Sequence, residues 1–185
     1  VPTASRLKYY YLAYFSKPVS DRILYRTICR LQPRKILELG VHGGSRARHL
    51  ISLALRHHAA DELRYAGVDL FEARPPDAPA GLTLKQAHCL LKTTGVRIQL
   101  VPGDAYSALS RTANSLRDND LMLISADQDP AALEQAWFYV PRMLHDHSVV
   151  LQEVPGEQGA TSWQTVPLAD IRARADQQQS RRRVA

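Results

Sequence analysis

The sequence predicts an α/β fold: a doubly wound, mainly parallel sheet with helices on both faces and an abbreviated carboxyl-terminal end. Three observations carry that prediction. First, Lys35 opens a short run, Ile36 to Leu39, that is apolar but for Glu38, and it leads through a glycine-rich turn, Gly40 to Gly44, into a helical pattern. Second, five strand-like runs (35–39, 64–71, 96–101, 121–125 and 148–152) alternate with helical patterns, and this order implies parallel pairing with right-handed crossovers. Third, an acid, Asp69, stands near the carboxyl end of the second run, where a doubly wound sheet receives a ribose.

The chain divides into an amino-terminal helical segment (1–32), one α/β domain (33–170) and a basic tail (171–185) whose Gln-rich and Arg-rich run reads as disordered. Residues 3–16 hold Tyr9, Tyr10, Tyr11, Tyr14 and Phe15, an aromatic cluster with helical potential that suits packing on a sheet edge or a partner chain, or a substrate lid. Ser20 is placed to cap a helix through Leu31, ended by Gln32-Pro33. After the first strand, Gly40, Gly43 and Gly44 fall where the backbone must reverse and let a ligand approach. Ser45 is placed to cap the next helix, which puts Ala47, Leu50, Ile51 and Ala54 on one face.

The second strand ends near Asp69, with Glu72 as a competing acid. Pro75-Pro76-Asp77-Ala78-Pro79 is a loop, 82–92 a helix, and 96–101 an alternating strand that runs into the turn Pro102-Gly103-Asp104-Ala105. Asn119-Asp120 turns the chain into the buried strand 121–125. Asp129-Pro130 then opens a helix with an acid cap and Pro at its first position, and Pro141 kinks or ends it. His145-Asp146-His147 is a turn before the fifth strand, which reaches Glu153, and 161–168 has the character of one more strand.

The 185 residues suit one domain, and 45% hydrophobic with 23% charged residues is the balance of a water-soluble globular protein. No apolar run approaches the ~20 residues of a membrane span, and no secretory signal pattern opens the chain, so the expected location is cytoplasmic, with no membrane partner. Cys29 and Cys89 lack metal-ligand spacing and read as buried free thiols. The net charge of +6 is concentrated partly in the tail and otherwise scattered, and no basic-aromatic recognition motif accompanies it, so nucleic acid is the weaker partner class.

The glycine spacing G-x-x-G-G departs from the dinucleotide fingerprint G-x-G-x-x-G. Together, Glu38 to Ser45, Asp69, Gly103-Asp104-Ala105 and 121–153 resemble the successive landmarks of class I S-adenosylmethionine-dependent methyltransferases, over about residues 20–153. Within that family the chain is most similar to small-molecule, catechol-type O-methyltransferases. The resemblance implies a Rossmann-like domain that binds S-adenosylmethionine and transfers its methyl group to a small-molecule oxygen acceptor. It implies cofactor contacts from Glu38, Gly40, Gly43, Gly44, Ser45, Asp69, Gly103, Asp104, Ala105 and Ser125. Asp69 would hold the ribose, Asp104 the adenine, and Glu38 the amino group.

The fourth strand departs from the family's I-D-G-D-H form and reads Ile124-Ser125-Ala126-Asp127-Gln128. Only Asp127 and Glu153 remain to stand in for its metal-binding acids, too few to hold a hard cation well, so no metal is expected. His42, Asp127 and Glu153 are the three candidate bases, each with an ordinary alternative as a loop residue. Two other readings stand beside the enzyme: a non-catalytic assembly or regulatory module on the same fold, and an RNA methyltransferase tethered by its basic tail. Formation of a homo-oligomer is compatible with the aromatic amino-terminal segment and the short carboxyl end.

Overall fold

The computed structural model describes residues 5–76, 80–156 and 161–184. Its centre is a six-stranded sheet in the order β3-β2-β1-β4-β5-β6: β1 Lys35–Leu39, β2 Arg64–Asp69, β3 Arg97–Pro102, β4 Asn119–Ile124, β5 Leu144–Pro155 and β6 Thr161–Thr165. The first five strands pair in parallel and β6 runs antiparallel to β5. Doubly wound α/β architecture is therefore as the sequence predicts. The order reverses between β1 and β4, which opens the crevice where ligands of such sheets bind.

Helices cover both faces. One face packs Leu24, Ile28, Leu50, Ile51, Leu91 and their neighbours from α2 (Arg22–Leu31), α3 (Ser45–Ala54) and α4 (Leu84–Lys92) against the sheet. The other packs Leu109, Leu133, Trp137 and Ile171 from α5 (Ala105–Thr112), α6 (Pro130–Ala136), the turn after it and α7 (Leu168–Val184). At the amino end, α1 (Arg6–Tyr10) continues into a π turn, Tyr11–Phe15, which buries Leu12 and Ala13 and leaves Tyr10, Tyr11, Tyr14 and Phe15 exposed.

Several local expectations are corrected. Ser20 does not cap α2: it lies in a 3-10 turn, Val19–Asp21, and the cap position is Asp21. Ser45 is already inside α3, whose cap is Gly44 in the left-handed conformation. Asn119-Asp120 begins β4 rather than a turn, because Asp118, at φ +56°, makes the reversal. His145-Asp146-His147 lies within β5, where the pairing shifts from Asn119↔Leu144 to Leu121↔Val149 and absorbs the extra residues as a bulge. Cys29 is half-buried and Cys89 exposed, since Cys89 falls on the outer side of α4. Of the Pro75–Pro79 loop, Pro75 and Pro76 are irregular as expected, and 77–79 lie outside the described residues.

The largest correction is the tail. Residues 171–184 are the body of α7 rather than a disordered tether. Leu168, Ile171, Ala175, Gln178 and Arg182 recur at helical spacing. Ile171 and Ala175 are buried, the Gln178 amide donates to Glu134 at 2.6 Å, and the Arg182 guanidinium lies over the rings of Tyr106, Phe138 and Tyr139. Polar residues at the last two positions of the stripe hide it from composition.

Candidate functional site

The loop between β1 and α3 is wound by left-handed residues at Gly40 (φ +95°), His42 (φ +53°) and Gly44 (φ +70°). Gly40 is required on two counts. Its backbone conformation disfavours a side chain, and a Cβ there would lie 2.7 Å from the Ser125 Cβ at the end of β4. Gly43 has neither constraint: a Cβ would meet nothing within 4 Å, so the loop is open at that residue.

Below the loop lies a buried ionic cluster that the sequence reading did not anticipate. Glu38 is fully buried and accepts from the Tyr65 hydroxyl and from Arg46 Nε at 2.6 Å. Arg46 also donates through Nη2 to the Gly40 carbonyl at 2.8 Å and to Ser125 Oγ at 2.5 Å, with Nη1 3.8 Å from Glu153. Its guanidinium is stacked over Trp163 on β6. Burial works against the Arg46 charge, but the Glu38 carboxylate outweighs it and holds the group protonated. Burial and the adjacent carboxylate push the Tyr65 hydroxyl well above its ordinary range, so it acts as a donor. Asp21, at the start of α2, accepts from the Trp163 indole at 3.3 Å, and burial raises its pKa despite nearby Arg46.

Asp69 closes β2 beside this loop. It accepts from the His42 backbone amide at 2.8 Å and from Arg74 Nη2, which lies 2.6 Å from Oδ1 and 2.5 Å from Oδ2. Burial pushes its pKa up, but the hydrogen bonds from Arg74 and His42 and the Arg74 charge bring it below the ordinary value. Glu72 instead accepts from the Leu84 amide at the start of α4. Across the cleft, Gly103 (φ +134°) lets Asp104 cap α5, accepting from the Ser107 amide at 2.9 Å and hydroxyl at 2.8 Å. Burial raises the Asp104 pKa less than those hydrogen bonds lower it. Ala105 is buried in the first turn of α5.

Asp69, Arg74, Gly103, Asp104 and Asp127 line one cleft of about 280 Å³ at the carboxyl ends of β2, β3 and β4. Of the three candidate bases, the fold brings two together: His42 Nε2 is 3.4 Å from Asp127 Oδ1. Glu153 is separate, accepting from Thr161 Oγ1 at 2.6 Å and the Ala126 amide at 3.3 Å. Ser125 is buried against Arg46, and Ser45 stands in the first turn of α3. Among the described residues, no three His, Cys, Asp or Glu side chains are grouped to hold a metal ion.

Arg46, Arg74, Tyr65, Trp163 and Asp21 are the residues that sequence reasoning missed. Arg46 had a visible signal: a cation in the first turn of a helix opposes the helix dipole and needs a local acid to hold it. The others are joined to the site by contacts up to 142 positions apart in the chain.

No family model matches the chain, and no curated protein resembles it in sequence. Solved structures do resemble it in fold. An O-methyltransferase of Bacillus cereus in complex with S-adenosylhomocysteine superposes with a TM-score of 0.55 at 18% identity, covering 76% of this chain and 58% of that one. The O-methyltransferase TomG of Streptomyces achromogenes, involved in tomaymycin synthesis and solved with S-adenosylmethionine, gives 0.53 at 18% identity, over 76% and 57%. The chain thus has the methyltransferase fold and spans less than three fifths of the length of these structures.

Proposed function

We propose that this protein binds S-adenosylmethionine in the cleft at the carboxyl end of the sheet and transfers its methyl group to a small-molecule oxygen acceptor. The observation that carries this reading is the convergence of Asp69, Asp104 and Asp127 on one cleft beside the glycine loop. The nucleoside half of the cofactor fits this arrangement. Asp69 ends its strand where a ribose diol is received, Asp104 faces the same space, and the loop is open at Gly43. The amino-acid half meets Arg46, which already holds Glu38 and the Gly40 carbonyl.

When bound, the cofactor supplies an activated methyl group. The chain's own work is to orient an acceptor, exclude water and take a proton. We assign the last of these to His42: its Nε2 lies 3.4 Å from Asp127 Oδ1, which leaves Nδ1 for the proton of an acceptor hydroxyl.

A second reading, a non-catalytic module on the same fold, is favoured by one specific observation. Arg46 and Arg74 pair internally with Glu38 and Asp69, two of the three carboxylates assigned to the cofactor. Calorimetric titration with S-adenosylmethionine and S-adenosylhomocysteine separates the two. Micromolar binding that weakens about tenfold in Asp69→Ala, or roughly 1.4 kcal/mol, establishes the cofactor site, after which methyl transfer to an acceptor supports the enzyme and binding without transfer supports the module. Absence of binding to the unaltered chain supports the module.

A further inference from the structure

A second concavity lies at the opposite end of the sheet and is larger than the cleft, at about 380 Å³. The register explains its character. Lys35, Arg64 and Arg97 are Cα partners across β1, β2 and β3, so three cations start side by side on adjacent parallel strands. With strands ~4.8 Å apart, the row is roughly 10 Å long. Two residues further along the same face, Leu37 and Ala66 enter the core beneath α5, whereas Gln99 is exposed. The short helix α5 covers only the carboxyl half of these strands and leaves the row uncovered.

The loop 114–117 after α5 closes one side and adds Asn114, Ser115 and a fourth cation, Arg117. Among the described residues, no acid lines the concavity. Lys35 Nζ meets the Arg117 carbonyl at 3.1 Å and, at the rim, Asp118 at 3.6 Å, whose side chain is mostly exposed. Among the described residues, no ion pair reaches Arg64 or Arg97. Like charges directly opposite one another weaken a sheet, so this row burdens the fold unless something anionic lies along it.

We propose that this concavity binds a short linear chain of linked phosphates, its successive groups contacted by Lys35, Arg64 and Arg97 and its oxygens reached by Asn114 and Arg117. The row is long for a single phosphate and suits several joined together. Tyr65 is the only aromatic residue that lines the site among the described residues, and its hydroxyl is committed to Glu38 beneath the other face. Without a free ring to stack on, the site does not read bases, and a nucleic-acid strand is the poorer occupant.

The test is calorimetric titration with sodium tripolyphosphate, ATP and a single-stranded oligonucleotide, at low and physiological salt. Tripolyphosphate is expected to bind saturably at one site. ATP separates the two sources of the same chemistry: affinity similar to tripolyphosphate identifies the phosphate chain as what is read. The double variant Arg64→Gln with Arg97→Gln should weaken binding about tenfold or more. Arg26→Gln with Arg30→Gln, which removes the same charge from exposed positions on α2, should change it by less than about threefold. In the absence of ligand, Arg64→Gln should raise Tm by about 1–2 °C by relieving the row, which also reports that the variant folds. Three results would overturn the proposal: no saturable binding, equal weakening by both double variants, or an oligonucleotide that binds more tightly than tripolyphosphate.

Discussion

A single nitrogen of Arg74, Nη2, bridges both carboxylate oxygens of Asp69, at 2.6 and 2.5 Å. The acid that ends β2 is therefore engaged from the loop that follows it. A ribose diol arriving at Asp69 must share or displace that guanidinium. Arg74→Ala should tighten S-adenosylhomocysteine binding several-fold, about 1 kcal/mol, whereas Asp69→Ala should weaken it. Calorimetry on the two variants checks the pair, and equal weakening in both would show that Arg74 holds the ligand rather than competing with it.

Arg46 and Glu38 form a buried pair with side-chain exposures of 12% and 0%. Removing the cation strands a carboxylate with the Tyr65 hydroxyl as its main partner. Arg46→Leu should therefore cost about 3–5 kcal/mol. Urea unfolding of the variant reads this directly, and a loss below about 1 kcal/mol would mean that the pair adds little net stability.

Asp21 and Asp69 should give stability opposite dependences on pH. Burial raises the Asp21 pKa in the folded protein, so its contribution is present below its unfolded pKa and is lost as pH rises through the folded value. Hydrogen bonds from Arg74 and His42 prevail over burial at Asp69, so its contribution is present above its unfolded pKa and is lost as pH falls through the folded value. At neutral pH, Asp21→Asn should raise Tm and Asp69→Asn should lower it. The Asp21 difference should shrink as pH falls below the ordinary Asp value of about 3.9, whereas the Asp69 difference should persist to lower pH and vanish only below its depressed folded value. Thermal melts across that range decide the matter.

Gly40 and Gly43 should respond differently to a methyl group. Gly40→Ala forces a Cβ to within 2.7 Å of the Ser125 Cβ at φ +95° and should cost about 1–3 kcal/mol. Gly43→Ala has open space around it and should leave stability within about 0.5 kcal/mol. Chemical denaturation of both variants tests the assignment of Gly40 as the structural glycine of the loop.

His42 should affect turnover rather than cofactor affinity. Under the proposed function, His42→Gln should lower methyl transfer to an active phenolic acceptor by roughly 10²- to 10⁴-fold, while the S-adenosylmethionine Kd stays within about threefold. Asp127→Asn should lower transfer less, because it orients the imidazole from 3.4 Å and takes no proton from the acceptor. Comparing single-turnover rates with binding constants separates these effects.

Local periodicity was sufficient for the sheet. Short apolar runs with turn residues between them locate five strands, and Gly40 and Gly44 mark a loop whose backbone excludes ordinary side chains. The position of Asp69 at the end of β2 followed from the same reasoning, whereas Asp104, read as part of a turn, proves to cap α5, a helix that the sequence reading did not mark. What tertiary structure alone decided is which charges meet. Arg46 reaches Ser125 across 79 positions, the Trp163 indole reaches Asp21 across 142, and His42 meets Asp127 only because β1 and β4 are neighbours at the reversal of strand order. Strand register likewise aligned Lys35, Arg64 and Arg97, three unremarkable cations in the sequence. The tail became a helix because Trp137, Glu134 and Tyr139 offered it a surface. A chain encodes its element types through neighbours a few residues away, but the partners of a buried charge are selected by packing between segments far apart.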